Sequence, residues 1–205
     1  MDAPAHEDLR KELLAMVRED FQVRETLVRD GTLFDGYQPR MREVHERNAD
    51  RLAAILDRLG AWPDQKLVGD DGAESAWIIA QHAISRPSLM RRSFELVRDA
   101  VARGTAPMRH AAHLDDRIRV FEGRPQRYGT QFDWNEQGEM VPKPIEDPAA
   151  IEDLREEAGL MPFFEAVRRQ REAAMHGPEM PPDDWRERER VYEMWLREVG
   201  WRDPS

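Results

Sequence analysis

Between Glu7 and Arg29 the apolar residues Leu9, Leu13, Met16, Val17, Phe21, Leu27 and Val28 recur near the spacing of an amphipathic helix. Gly31 and the stretch Asp35-Gly36-Tyr37-Gln38-Pro39 break that pattern. A second helix is predicted from about Pro39 to Leu59, stopping at Gly60, a usual C-cap residue. Ala61 to Gly72 is rich in Gly, Asp and Pro and reads as a loop. Asp71-Gly72-Ala73-Glu74 then has the spacing of a capping box that opens a third helix, Glu74 to Ile84. This helix is apolar nearly all round, as expected of an element buried on most sides. Ser85-Arg86-Pro87 ends it and starts a fourth, carried by Leu89, Ser93, Leu96, Val97 and Val101 up to Gly104. A fifth follows Pro107 and ends near Gly123, with Ala111, Leu114, Ile118 and Phe121 inward.

The period then changes. From Gln126 to Trp134, Tyr128, Thr130, Phe132 and Trp134 alternate with Arg127, Gly129, Gln131 and Asp133, a strand pattern. Asn135-Glu136-Gln137-Gly138 reads as a turn, and Met140 to Ile145 as the return strand. Pro142 and Pro144 confine that return strand to an edge or to partial pairing. Asp147-Pro148 opens a short helix to Glu157, another runs from Pro162 to Met175, and Asp183 to Val199 forms the last. The predicted fold is mainly α: a multi-helix globular domain with one small β-hairpin around residues 126–145. The expected organisation is a single domain over 1–176, then a linker and a C-terminal acidic helix over 177–205.

Composition narrows the chemistry. The 205 residues contain no Cys, which excludes a disulfide scaffold, a Cys-ligated metal site and a thiol nucleophile. No apolar run approaches the ~20 residues of a membrane span, and Met1 to Arg10 lacks the layout of a signal peptide. A cytoplasmic protein with no membrane partner is therefore expected. The formal charge is −10, with 31 Lys plus Arg against 41 Asp plus Glu. Residues 146–205 hold 9 basic and 16 acidic groups, so most of the acidity is C-terminal. A phosphate backbone needs a clustered basic surface, so no nucleic-acid partner is expected.

Several polar residues stand where apolar ones belong. On the second helix Met41, Val44, Leu52, Ile55, Leu56 and Leu59 form one stripe, and His45 and Asn48 fall in its middle. Burying either without a partner would cost on the order of a few kcal/mol, so each is hydrogen-bonded or lines a pocket. On the third helix Gln81 and His82 are the strongly polar residues of Ala76-Trp77-Ile78-Ile79-Ala80-Gln81-His82-Ala83-Ile84, while Glu74 is explained by the capping box. On the fifth, His110, His113 and Arg117 share one flank, and His110 and His113 read as exposed. Gly129 inside a strand pattern suggests a bulge or a close approach by a ligand or another element. The chain has no His-Glu-x-x-His, P-loop, Gly-x-Gly-x-x-Gly or Gly-x-Ser-x-Gly motif, and no Glu-x-x-His pair for a di-iron bundle.

Four motifs occur in order: Ala76-Trp77-Ile78-Ile79-Ala80-Gln81-His82, Asp116-Arg117, Gly123-Arg124-Pro125-Gln126-Arg127-Tyr128-Gly129-Thr130-Gln131, and Pro142-Lys143-Pro144-Ile145-Glu146-Asp147-Pro148. Over roughly residues 40–175 the chain resembles an uncharacterised bacterial family, a domain of unknown function. The resemblance implies that Trp77, Gln81, His82, Asp116, Arg117, Gln126, Tyr128, Thr130 and Gln131 belong to the family pattern, and it implies no activity. His113 departs from an aromatic usual there, and the tail after Gly177 lies outside.

The expected function is an enzyme acting on a small molecule through a His-centred acid/base pocket. His82 and His45 supply the acid/base groups, since imidazole titrates near pH ~6.5. Tyr128 joins them, Arg117 holds an anionic group, and Gln81, Asn48, Asp116, Gln126, Thr130, Gln131 and Trp77 contact the substrate. One alternative is a mononuclear metal enzyme using His45, His82 and a carboxylate, a metal being the cofactor these residues suggest. Another is a non-catalytic interaction module, in which the polar residues form a structural network and the acidic tail or hairpin binds a partner.

Overall fold

The computed structural model describes residues 6–33 and 36–203. Among them are eight helices and one two-stranded sheet, so the fold is mainly α with a small hairpin. The order is α1 (Glu7–Arg29), α2 (Pro39–Leu59), α3 (Gln65–His82), α4 (Pro87–Ala102), α5 (Met108–Phe121), β1 (Phe132–Trp134), β2 (Met140–Pro142), α6 (Ile151–Glu157), α7 (Phe163–His176) and α8 (Trp185–Glu198). Asp35, assigned to a turn from the sequence, lies outside the described residues. The chain divides into two compact units, Met1–His110 and Ala111–Ser205, with the division inside α5. No helix among the described residues is long and apolar enough to cross a membrane.

In the first unit α1, α2 and α3 pack on one another and α4 packs on α3. Leu13, Leu52, Ile55, Leu56, Val68, Ile79, Met90 and Val97 form its buried core, with Trp62, in the loop before α3, fully buried. Val23, Leu27, Leu33, Met41 and Val44 make a cluster that ties the end of α1 to the start of α2. α2 stops at Gly60, whose φ of 64° is the left-handed cap that a Cβ disfavours. Phe21, expected inward, is 48% exposed. Asp20 beside it takes the inward position, in line with Leu13, Val17 and Leu27.

α3 departs from the pattern. It begins at Gln65, inside the expected loop, because the Asp64 side chain accepts from Lys66 N and Leu67 N as an N-cap. Gly69, at φ 74° and ψ 170°, breaks the helix after one turn, and it resumes to His82. The expected capping box is not formed between its two acids. Asp71 Oδ1 accepts from its neighbour Gly72 N and from Arg10 Nε at 2.7 Å, and Glu74 turns to His110. The helix also stops at His82, short of the expected Ile84, as Ala83 leaves helical geometry.

In the second unit the long strand pattern contracts to three residue pairs, Phe132↔Pro142, Asp133↔Val141 and Trp134↔Met140. Gln126 contributes an isolated bridge to Ile145. The residues between form a loop, because the N–H groups of Arg127, Tyr128 and Thr130 all point to the Asp116 carboxylate and none of these three joins a ladder. Gly129 has φ +65°, and a Cβ there would meet the Phe163 ring at 2.5 Å, so the close approach is by another element. Ala112, Tyr128 and Ala158 form a core cluster with Leu154 and Leu160. The tail packs in the same unit: Leu196 and Trp201 are buried, Trp185 Nε1 donates to Trp134 O at 2.8 Å, and Trp201 lies 4.9 Å from the Phe121 ring.

Candidate functional site

The inward stripe of α1 carries one carboxylate, Asp20, 1% exposed. α2 brings His45 to it and the end of α3 brings His82. His82 Nδ1 lies 2.8 Å from Asp20 Oδ2 and His45 Nε2 lies 3.4 Å from the same oxygen. The two imidazole centroids are 4.8 Å apart. On the far side of His45, the Tyr37 hydroxyl meets Nδ1 at 2.9 Å. Ser85, just after α3, lies near both Tyr37 and Glu46. A Tyr37–His45–Asp20–His82 chain therefore joins α1, the loop before α2, α2 itself and α3.

Burial pushes the Asp20 carboxyl up, but the hydrogen bonds from His45 and His82, reinforced by the positive charge either ring carries when protonated, hold the group well below the usual carboxylate range. Asp20 is thus ionised. Tyr37 is driven the other way, chiefly by burial and then by the charge of Glu46, so it keeps its proton and donates it. The centre opens outward at His82, whose side chain is 27% exposed against 11% for His45. A surface cleft of about 370 Å3 lies alongside, lined by Ala53, Ser85, Arg86, Pro87, Leu89 and Arg92. Ser85, which lines it, lies near Tyr37 at one end of the chain.

The structure gives the other residues named from the sequence the following surroundings. Asn48 is buried one turn beyond His45, where its Nδ2 donates to Met16 O at 3.4 Å. Gln81 is buried on α3. Trp77 stacks face to face on His110 at 4.6 Å and donates Nε1–H to the His110 carbonyl. His110, expected exposed, is 2% exposed, and its Nε2 donates to Glu74 Oε2 at 2.8 Å. Burial holds this imidazole below its ordinary value, against the pull of Glu74. His113 is half-buried.

Asp116, Arg117, Gln126, Tyr128, Thr130 and Gln131 gather in the second unit as a separate network. Asp116 accepts from Arg127 N, Tyr128 N, Thr130 N and Thr130 Oγ1 at 2.7 to 3.2 Å. Burial raises its carboxyl above the usual value in spite of these donors. Gln126 Nε2 donates to Gln131 O and Lys143 O, and its Oε1 accepts from Gln131 N. Arg117 Nε donates to Gln131 Oε1 at 3.2 Å, and burial pushes the guanidinium down to about 10, still charged at neutral pH. Buried Arg155 donates to the Tyr128, Gly129 and Met161 carbonyls. The side chains of Asp116, Gln126 and Arg155 are occupied in fixing the path of residues 126–131.

The sequence singles out His45 and His82, which the structure brings together, and does not single out Asp20 or Tyr37, which join them. Asp20 had a signal, since it interrupts the α1 stripe as His45 interrupts that of α2. Tyr37 lies in a loop, where no periodicity marks it.

In the first unit, helices hold an interior carboxylate shared by two imidazoles. The chain belongs to a family of unknown function, DUF6624, whose model matches residues 7–176 and so takes in Asp20, Tyr37, His45 and His82. No curated protein and no solved structure matches the chain.

Proposed function

We propose that the chain is an enzyme acting on a small molecule, with its reacting centre at Asp20, His45, His82 and Tyr37. The observation that carries this reading is the single Asp20 oxygen shared by two imidazoles, 2.8 and 3.4 Å away, at the edge of solvent. A carboxylate that accepts from His82 Nδ1–H fixes the tautomer and leaves the lone pair on Nε2, as a general base requires. Asp20 then stabilises the imidazolium formed when His82 takes a proton. Tyr37 and Asp20 together orient His45, which supports the same charge from the buried side. The reading keeps the small-molecule partner and cytoplasmic setting expected from the sequence. It assigns the Asp116–Gln126–Arg155 network to holding the second unit's loop.

The test is substrate depletion in a bacterial metabolite extract, followed by mass spectrometry. A metabolite consumed by the wild-type chain should be consumed at least ~100-fold more slowly by His82→Ala with unchanged circular dichroism, the usual scale of a lost acid/base group. Equal consumption by wild type and His82→Ala overturns the reading.

A further inference from the structure

The same cluster carries a second kind of chemistry. We propose that Asp20, His45 and His82 form a site for one divalent transition-metal ion of the Zn2+ class, held by two imidazole nitrogens and one carboxylate. This rests on the reading that these residues are the reacting centre; with the ion bound, His82 serves as a ligand through Nδ1, and the ion takes over from its Nε2 the activation of the reacting group.

One ligand atom from each residue lies within 4.8 Å of the others. A tetrahedral ion with bonds of about 2.0–2.1 Å sets its donor atoms about 3.3–3.4 Å apart. The separation of Asp20 Oδ2 and His45 Nε2, 3.4 Å, meets that spacing as it stands. Asp20 Oδ2 and His82 Nδ1, at 2.8 Å, are at hydrogen-bond distance and need to open by about half an ångström when an ion replaces the shared proton.

A second observation concerns the other oxygen of the same carboxylate. Asp20 Oδ1 is buried and has no hydrogen-bond partner among the described residues. An ionised carboxylate with one oxygen left bare in the interior is costly, and a cation seated against the group relieves it. The donor set selects the ion. Two nitrogens with one oxygen suit zinc and its first-row neighbours, whereas calcium and magnesium take oxygen. Binding requires the two rings to change tautomer and not charge. His45 then presents its Nε2 lone pair inward and donates Nδ1–H to Tyr37, the kind of outer partner that fixes a ligating imidazole. Three protein donors leave a fourth position, on the side where His82 reaches solvent. That is the arrangement of catalytic sites and not of closed structural ones.

The experiment uses the full chain stripped with a chelator and titrated with Zn2+ against a chromophoric competitor, then with Co2+ for its visible spectrum. One ion per chain is expected, with a Co2+ spectrum of tetrahedral intensity and an affinity at least ~100-fold weaker in Asp20→Asn and in His82→Ala. His176→Ala, on an exposed histidine outside the cluster, should bind as wild type does. If His82→Ala fails to fold, Asp20→Asn and the imidazole nitrogen shifts of the wild type on adding Zn2+ give the same answer. Zn2+ binding that is absent, or that is equal in wild type and Asp20→Asn, overturns the proposal. Metabolite consumption separates it from the reading beneath it. Undiminished turnover by the stripped chain, lost in His82→Ala, sinks the metal and leaves the acid/base centre standing. Metal bound at the cluster, with turnover indifferent to His82→Ala, sinks the catalytic reading and leaves the metal site.

Discussion

Asp20 and His110 are both buried ionisable groups, and each is held in one charge state for a different reason. Asp20 stays charged because two imidazoles share its Oδ2. His110 is disfavoured as a cation because burial works against it, Arg109 lies close, and its Nδ1 has no partner among the described residues. A proton on Nδ1 would add a donor with nothing to accept it. The consequence for pH follows from linkage. The folded-state value of His110 lies below the unfolded one near ~6.5, so the unfolded chain takes up the proton first as pH falls. Its stabilising contribution is complete above about pH 6.5 and is lost progressively below it. His110→Gln keeps a donor for Glu74 and removes the titration. Urea midpoints measured at pH 7.5 and pH 5.5 should fall further for the wild type than for this variant, and equal falls would refute the assignment.

At the scale of elements, the loop between α5 and β1 is the most constrained segment. Gly129→Ala would force a Cβ at φ +65° to within 2.5 Å of the Phe163 ring and 2.9 Å of Ile151. Left-handed strain and overpacking together predict a loss of about 2–4 kcal/mol, read as a lower urea midpoint with unchanged m-value. A variant as stable as wild type would show that α7 can give way there. This loop also marks where sequence reading stops. α1 and α2 were legible to the residue, because their apolar stripes are long and Pro39 and Gly60 punctuate α2. The first turn of α3 was not, since Gly, Asp and Pro speak for a loop and only the buried Val68 and the cap at Asp64 decide otherwise. The alternation after Gln126 looked like strand, yet a side chain remote in sequence, Asp116, draws the amides of that stretch away from any partner strand. Half the candidate site was legible: His45 and His82 stand out as polar residues among apolar ones, Asp20 carries the same signal but sits beside Phe21, which takes its place in the apparent stripe, and Tyr37 acts through a loop that no period describes.

For the molecule as a whole, acidity follows the two units. Residues 1–110 carry 17 basic and 19 acidic groups, and residues 111–205 carry 14 and 22. The proposed centre therefore lies in the nearly balanced unit. The acidic tail extends past the family match, which ends at residue 176, but Leu196 and Trp201 are buried in the second unit and Arg202 donates to Phe121 O at 3.0 Å. Ending the chain at His176 removes both buried side chains, worth roughly 1.5–3 kcal/mol each, and uncovers Phe121. The shortened chain should show a lower melting temperature and faster proteolysis after residue 111. An unchanged melting temperature would mean that the tail is an ornament of the surface. The Asp116 carboxylate has a different kind of consequence, for how the sequence can drift over time. Three of its four donors are main-chain amides, which almost any residue supplies, so Asp116 tests the path of the loop and is indifferent to most of the side chains along it. Related chains are then free to exchange Arg127 while holding Asp116 and Gly129 fixed. Substitutions that move the backbone can survive only in company, by changing the loop and the helix that anchors it in the same lineage.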